Sequence, residues 1–460
     1  MKHYDVIVIG SGGGSKITRP AANLGKKVAI IEKGRLGGTC LNHGCIPSKM
    51  LIHPADIMTH IQEASRFDIS VNPLVTVDFE KLVTRVSRTV DAESDSIPPV
   101  YEAHPNIDLY PYEGHFLSDK TLDVNGEIIS GDLIFIAAGV RATIPEIPGL
   151  KDTPYLTYKE ALRLTKQPKS MVVIGGGYIA TELGYFFGAM GTDMTFLVRN
   201  ELLSLEDDDI KAEFKKSFSK RFNIHYQTTP KHISHDGKLF HITIDLPTKQ
   251  DHVITCESLL VAAGITPNSD SLRIQSAGIK TDEKGFIKVN EFLETSVSGI
   301  YAFGDILGKY LFRHSTNFEG EYLFDSVFGE ETLFPEPIRY PPIPHAVFSK
   351  PQIGSVGKLE RDLKADGVDY VVGLNYYKNS AMGMALLSDE GFVKLLFDSN
   401  SKKLLGAHII GEEASNMIHM CIAYMHMGAT LDDLLKTVYI HPALPELIRN
   451  AARKAHAALG

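Results

Sequence analysis

Two stretches of this chain read alike. VIVIGSGGGS (6–15) and MVVIGGGYIA (171–180) are each an apolar strand running straight into a glycine-rich turn. Each is followed by a helix-length segment and a second apolar strand, KVAIIEK (27–33) and DMTFLVR (193–199). Each later meets a similar strand end, LIFIAAG (133–139) and LLVAAG (259–264). Strand, glycine turn, helix and strand make the βαβ unit that receives a dinucleotide pyrophosphate at the helix N-terminus. One such motif is a weak signal. Two, with matching downstream strands, restrict the chain to an α/β fold with two Rossmann-like dinucleotide-binding domains.

A third segment, SGIYAFGDILG (298–308), is an apolar strand ending in Gly-Asp. From about residue 337 the texture changes. YPPIPHAVFSKPQIGSVG is proline-rich, GFVKLLFD (391–398) and KLLGAHII (403–410) read as alternating strands, and helices are predicted near 412–428 and 442–458. This predicts a C-terminal α+β domain. The predicted division is 1–148 and 269–336 for the two parts of the first nucleotide domain, 149–268 for the second, and 337–460 for the last. LEDDDIKAEFKKSFSKRF (205–222) alternates charge at helical spacing and predicts a solvated helix face.

The 460 residues suffice for about three domains. A net charge of −9 argues against nucleic acid as a partner. No apolar run approaches the ~18 residues needed to cross a membrane, and MKHYDVIVIG enters a strand without a signal peptide. Four cysteines do not make a disulfide scaffold, so a reducing, cytoplasmic setting is expected. Cys256 and Cys421 read as buried, inert thiols.

In the first unit, Gly10 makes the tight turn and Gly12 admits the pyrophosphate. Glu32, at the end of the second strand, is placed to accept from a ribose diol. Ser15 stands at the third glycine position, which predicts a slightly wider helix–strand spacing, and Pro20 predicts a short or bent helix. In the second unit, Gly175 and Gly177 hold the corresponding places. Aligning the second strands puts Val198 over Glu32, with Arg199 next. A cation there favours a 2′-phosphate, so this site leans towards NADP over NAD, although Glu201 lies close by.

GGTCLNHGCIPSKM (37–50) holds Cys40 and Cys45. The spacing does not suit zinc, no second ligand cluster exists, and no metal is expected. In a regular helix their Cα atoms would stand roughly 8.7 Å apart, beyond the about 4.4–6.8 Å of a disulfide. A bridge therefore requires a distorted backbone, for which Gly44 and Pro47 supply a hinge and a helix start.

GGTCLNHGCIPSK resembles the signature G-G-T-C-x-N-x-G-C-x-P-S-K of the FAD-dependent pyridine nucleotide–disulfide oxidoreductases, a family that includes dihydrolipoamide dehydrogenase, glutathione reductase, mycothione reductase and mercuric reductase. GGGYIATE, YAFGD, FSKPQIGSVG and HPALPE extend the likeness over nearly the whole chain. The resemblance implies a redox-active Cys40–Cys45 pair. Cys45 would be the thiol beside the flavin that forms the charge-transfer thiolate, and Cys40 the interchange thiol that attacks a substrate disulfide. Lys49 and Glu182 would be the ion pair near flavin N5, Tyr178 the gate over the nicotinamide pocket, and Asp305 the acid on the ribityl chain. Gly38, Thr39, Gly114 and Gly139 match backbone positions around FAD, and Gly264 ends the corresponding strand of the NAD(P) site. The family usually reads Ala-Thr-Gly where this chain has Ala137-Ala138-Gly139.

In HPALPE, His441 and Glu446 could be no more than a helix start with an acid near the positive end of its dipole. The resemblance makes them the acid–base dyad, contributed across a homodimer interface. His43, where relatives usually carry an apolar residue, reads as a side chain directed away from the flavin. Two substrate assignments stay open: a dihydrolipoamide dehydrogenase-like enzyme acting on a lipoyl dithiol, and a mycothione reductase-like enzyme using NADPH to reduce a small disulfide. Arg199 and HPALPE favour the second. Mercuric reductase is disfavoured by the chain end AARKAHAALG, which lacks a cysteine pair. A flavin oxidase or transhydrogenase is disfavoured by both cysteines with His441 and Glu446, and a mainly docking role by the absence of a lipoyl-like segment.

Overall fold

Strand β1 (Lys2–Ile9) runs into helix α1 (Ser11–Asn23) and returns as β2 (Val28–Ile31). β1 pairs in parallel with β2 on one side (Val6↔Val28) and with β6 (Glu127–Ile136) on the other (Val6↔Leu133). It is covered on both faces, which is why Val6–Ile9 is one uninterrupted buried apolar run. Beyond β2 lies β3 (Ile107–Tyr110); beyond β6 lie β5 (Thr121–Val124) and β4 (Gly114–Ser118), so the order is β3-β2-β1-β6-β5-β4. Ile300–Ala302 adds in parallel to β6 and carries the YAFGD segment into this sheet. The structure is a computed structural model, which describes residues 1–71, 75–247, 249–329 and 336–460.

The second sheet repeats the arrangement. Its order is Asn223–Tyr226, Asp193–Val198, Ser170–Ile174, Ser258–Val261, all parallel. Third strand, second, first, then the downstream strand is the order of the first sheet as well. A short antiparallel ribbon, Val140–Ala142 with Ile265–Pro267, links the two halves. The C-terminal sheet has five antiparallel strands in the order His345–Val347, Gln352–Gly357, Leu404–Gly411, Phe392–Asp398, Tyr370–Tyr376. Helices Ala414–His426 and Glu446–Ala458 pack on it, and a further short helix, Leu431–Lys436, stands between them.

Four expectations need correction. The first helix is not shortened by Pro20: it spans 13 residues, with Pro20 near its end, where the ring removes only one interior hydrogen bond. Ser15 does not widen the helix–strand spacing, because Gly14 makes the contact; a Cβ there would stand 2.5 Å from Val8 Cγ1. Ser15 Oγ instead donates back to the Gly12 carbonyl at 2.9 Å. Phe392–Asp398 does not alternate but is buried almost throughout, Lys394 included. Its other face meets the second nucleotide domain, where Phe392 and Ile410 share a core with Tyr185 and Phe186. Finally, the segment 205–222, expected as a solvated helix face, forms the helix Asp208–Phe218 with Ile210, Phe214 and Phe218 buried on one side, and the two acids before it, Glu206 and Asp207, are wholly buried.

Candidate active site

The backbone between the two cysteines is broken as their spacing requires. Helix α2 (Gly38–His43) ends, Gly44 turns with φ −143° and ψ −117°, and helix α3 (Cys45–Glu63) begins. A Cβ at Gly44 would lie 2.9 Å from the Thr39 carbonyl oxygen and 3.2 Å from Cys40 Cα. Only a bare backbone lets the two helix ends fold together this closely. Both cysteines are free thiols, Cys40 half-buried and Cys45 exposed.

They titrate as a pair. The hydrogen bond from the Cys40 thiol to Cys45 is the largest influence on both, and with burial it drives Cys40 well above the ordinary thiol value. The same bond brings Cys45 down to about 7; burial opposes this, and the Lys49 cation helps it. The proton of the reduced pair thus rests on Cys40 and the negative charge on Cys45. Cys45 is also the first residue of α3, whose positive dipole end favours a thiolate.

One turn further on, Lys49 Nζ lies 2.6 Å from Glu182 Oε2 and 4.4 Å from the centre of the Phe348 ring. Glu182 Oε1 accepts from the Phe348 backbone N–H at 3.0 Å. One ion pair therefore joins α3, the helix Tyr178–Ala189 and the start of the C-terminal domain beside the thiolate.

The glycine turns are equivalent. Gly10, at φ +96°, would place a Cβ 2.3 Å from the Ala137 carbonyl oxygen; Gly175, at φ +138°, would place one 2.2 Å from that of Ala262. Each turn is clamped under the end of its own downstream strand, the AAG segment that also carries Gly139 or Gly264. Gly12 packs on Gly38, whose Cβ would stand 2.5 Å from Gly12 Cα. Glu32 Oε2 accepts from Ser11 N and Oγ at 2.9 and 2.8 Å, and Oε1 from Gly34 N at 2.9 Å. Gly114 sits on β4, where a Cβ would press on Ile31 and Val124 at 3.2 Å. At Gly139 and Gly177 a Cβ would meet open space.

Two further groups make the first cleft fit FAD. Arg313 Nη1 stands 3.6 Å from the Cβ position of Gly12, and no carboxylate or carbonyl among the described residues pairs with this guanidinium. The Asp305 carboxyl is likewise without a donor among them, and burial, with Glu319 nearby, pushes it up to about 6 against the pull of Arg313. A cation over the phosphate turn, an acid at the ribose position and a half-buried acceptor without a donor among the described residues, suited to a polyol, match the parts of that cofactor. Arg313 escaped the sequence reading because nothing in its local pattern marks it.

At the second turn, Tyr178 opens the helix after Gly177, and its hydroxyl donates to Glu206 at 2.8 Å. Val198 is buried and Arg199 exposed. Glu201 turns to Lys211 at 3.0 Å, leaving Arg199 without an ion partner among the described residues. His43 is half-buried near Lys159 and Arg163; burial, then those cations, hold its pKa below the usual range. Cys256 and Cys421 are buried, which pushes their thiols up to about 11 and about 12.

His441 Nδ1 lies 3.0 and 3.1 Å from the two Glu446 oxygens. Glu446, the first residue of the last helix, is buried and also accepts from Arg449 at 2.7 Å. The His441 side chain is 70% exposed. Among the described residues, no hydrogen bond joins this dyad to the cysteine pair of the same chain. Val438 and Ile440 just before it are 95% and 80% exposed.

A family model described as pyridine nucleotide-disulphide oxidoreductase matches residues 4–320, and one for the dimerisation domain of that family matches 343–452. The chain is 34% identical over 460 residues to dihydrolipoyl dehydrogenase of Chlorobaculum parvum, covering 98% of this chain and 96% of that one. It is 33% identical over 466 residues to mycothione reductase of Mycobacterium tuberculosis, covering 98% and 99%. Among solved structures it superposes on a Cu(II) complex of the HOCl-induced flavoprotein disulfide reductase RclA from Escherichia coli. There the TM-score is 0.86 and the identity 25%, over the full length of both chains.

Proposed function

The chain belongs to the pyridine nucleotide-disulphide oxidoreductase family, and from that premise we propose that Cys40 and Cys45 exchange electrons with a small dithiol or disulfide at a site completed by a second subunit. The enzyme is an FAD-dependent NAD(P)H:disulfide oxidoreductase with a C-terminal dimerisation domain. The observation that carries the assignment of roles is the helix break at Gly44, which brings Cys40 and Cys45 together beside the Lys49–Glu182 pair, so that Cys45 is the thiol that ionises first.

FAD, when bound, relays two electrons between the nicotinamide and the thiol pair. Gly10, Gly12, Gly38, Thr39, Gly114, Gly139, Glu32, Asp305 and Arg313 would hold it; Gly175, Gly177, Gly264, Tyr178 and Arg199 would hold the nucleotide. In the reducing direction the partner subunit's His441 takes the proton from Cys40. Cys40 Sγ then attacks one sulfur of the substrate disulfide, and the departing thiolate takes that proton back. Cys45 Sγ, already a thiolate, attacks Cys40 Sγ and expels the second half of the substrate as a thiolate, which takes its proton from solvent; Cys40 and Cys45 are left joined and oxidised by two electrons. Oxidation of a dihydrolipoyl group is the same path reversed. Glu446, on Nδ1, keeps the imidazole in one tautomer with Nε2 free to face the thiol. The exposed Val438 and Ile440 support a subunit contact beside the dyad.

Action on a lipoyl dithiol, as in dihydrolipoamide dehydrogenases, is the first reading of substrate. NADPH-dependent reduction of a low-molecular-weight disulfide is the second, favoured by Arg199, which has no ion partner among the described residues. The boundaries 1–148, 149–268, 269–336 and 337–460 are part of the same reading, as is a cytoplasmic setting; no described helix is long and apolar enough to cross a membrane. A steady-state panel of NADH and NADPH, each against lipoamide, glutathione disulfide and mycothione, tests it. No turnover of any disulfide or dithiol refutes the role of the pair, and a clear NADH preference refutes the reading of Arg199.

A further inference from the structure

Glu206 belongs to a segment whose sequence reads as a solvated face, yet its side chain is 0% exposed. Three donors from three elements converge on it. The Tyr178 hydroxyl donates to Oε1 at 2.8 Å. His345 Nε2 lies 2.9 Å from Oε1 and 3.1 Å from Oε2, and Ser355 Oγ donates to Oε2 at 3.1 Å. His345 and Ser355 are cross-strand partners in the C-terminal sheet, so they present their donors side by side. Burial alone would raise the pKa of this acid; the three donors reverse that and hold it below the ordinary glutamate value, so the buried group is a carboxylate.

The ring of Tyr178 is held as well. It stacks on Phe312 at 6.1 Å and on His345 at 6.0 Å, and those two rings lie parallel within 4°. Tyr178 is therefore fixed at both ends, its ring against Phe312 and His345, which stack on each other at 5.7 Å, and its hydroxyl on a buried charge. None of the thiol chemistry above uses Glu206, His345 or Ser355.

We propose that Glu206, supported by His345 and Ser355, is a tether for Tyr178, so that admitting a nicotinamide ring requires breaking one hydrogen bond to a charged acceptor. Glu206 and His345 are thus positioning residues for nucleotide entry. The inference rests on the reading of Tyr178 as the residue over the nicotinamide pocket. The three-donor arrangement explains why the tether can open: when Tyr178 leaves, His345 still reaches both oxygens and Ser355 one, so the buried charge is not stranded. A carboxylate held by the tyrosine alone would lock the ring in place.

The test measures binding of NADP⁺ and NAD⁺ to the oxidised holoenzyme by titration calorimetry, together with the KM and kcat for NADPH and NADH. Tyr178→Phe keeps the ring and removes the bond, and should tighten nucleotide binding about tenfold. Glu206→Gln should tighten it several-fold, with the change falling in KM more than in kcat. The double variant should bind no more tightly than Tyr178→Phe alone, since Glu206→Gln only weakens the bond that Tyr178→Phe removes. Unchanged or weaker binding in Tyr178→Phe overturns the tether, and this mild variant leaves Glu206 and its other donors in place should Glu206→Gln not fold. If Tyr178→Gly alters nucleotide binding while Glu206→Gln does not, the tether falls and the reading of Tyr178 stands. If Tyr178→Gly alters nothing, the reading of Tyr178 fails and the tether fails with it.

Discussion

Replacing Lys49 by methionine should move the ionisation of Cys45 by a predictable amount and sign. With its thiol at about 7, Cys45 is half thiolate at neutral pH. After the hydrogen bond from Cys40 and the opposing effect of burial, Lys49 is the next influence and lowers it, while Glu182 raises it. Lys49→Met removes the favourable charge and leaves the Glu182 carboxylate, 2.6 Å from the lost ammonium, uncompensated. Both changes disfavour the thiolate. One such charge a few ångströms away is worth roughly tenfold in proton affinity or more, so the thiolate share at pH 7 should fall from about a half to about a tenth. The midpoint moves to higher pH, and reactivity is lost between the old midpoint and the new one. Iodoacetamide alkylation rates of the reduced protein as a function of pH measure this directly, with ultraviolet thiolate absorbance as a second readout. Glu182→Gln should shift the midpoint the other way. Lys49→Met also strands an acid whose side chain is only 10% exposed. We expect a loss of about 2 kcal/mol, less than for a fully buried pair, which Lys49→Met/Glu182→Gln should largely recover. A midpoint unmoved by Lys49→Met, or moved the same way by both single substitutions, would refute the electrostatic account.

Three further outcomes can be checked. Gly10→Ala and Gly175→Ala each drive a Cβ into a strand-end carbonyl at positive φ; the first should weaken retention of FAD on the order of tenfold and spare nucleotide binding, the second the reverse, and the same defect in both would contradict the pairing of turns with ligands. His441→Gln should slow disulfide turnover about 10²-fold or more while leaving the alkylation midpoint of Cys45 where it was; near-normal turnover would remove His441 from the mechanism. Lys394, 1% exposed, lies 2.7 Å from Asp207, 2.6 Å from Asp209 and 2.6 Å from Glu360, so Lys394→Met should cost about 3–5 kcal/mol in urea unfolding, and a cost under about 1 kcal/mol would show the cluster contributes little.

The duplicated glycine turns were legible because the strand, the turn and the helix start are contiguous in sequence, and the chemistry of a phosphate turn confines them to a short pattern. The same sheet order in both halves and the matching clamps at Gly10 and Gly175 bear out the repeat. The hinge between Cys40 and Cys45 was legible for a similar reason: helix geometry over five residues forbids the bridge, and Gly44 stands where the break must come. Lys394 was not legible. A lysine in an apolar strand reads as an outward-facing position, and only the packing of the C-terminal sheet against the nucleotide domain shows that both faces of Phe392–Asp398 are covered.

The sequence by itself determined the two α/β nucleotide units and the cysteine hinge, because each is set by backbone geometry along one contiguous stretch of chain; the pairing of His441 with Glu446 it carried only through the family resemblance. Only the tertiary structure decided where isolated charges end up. Glu206 could have been a solvated acid at a helix start, and becomes a buried acceptor because the topology brings Tyr178, His345 and Ser355 to it from 28, 139 and 149 residues away. A charge can be buried only where distant donors compensate it, and that compensation is a property of the folded chain, not of any window of its sequence.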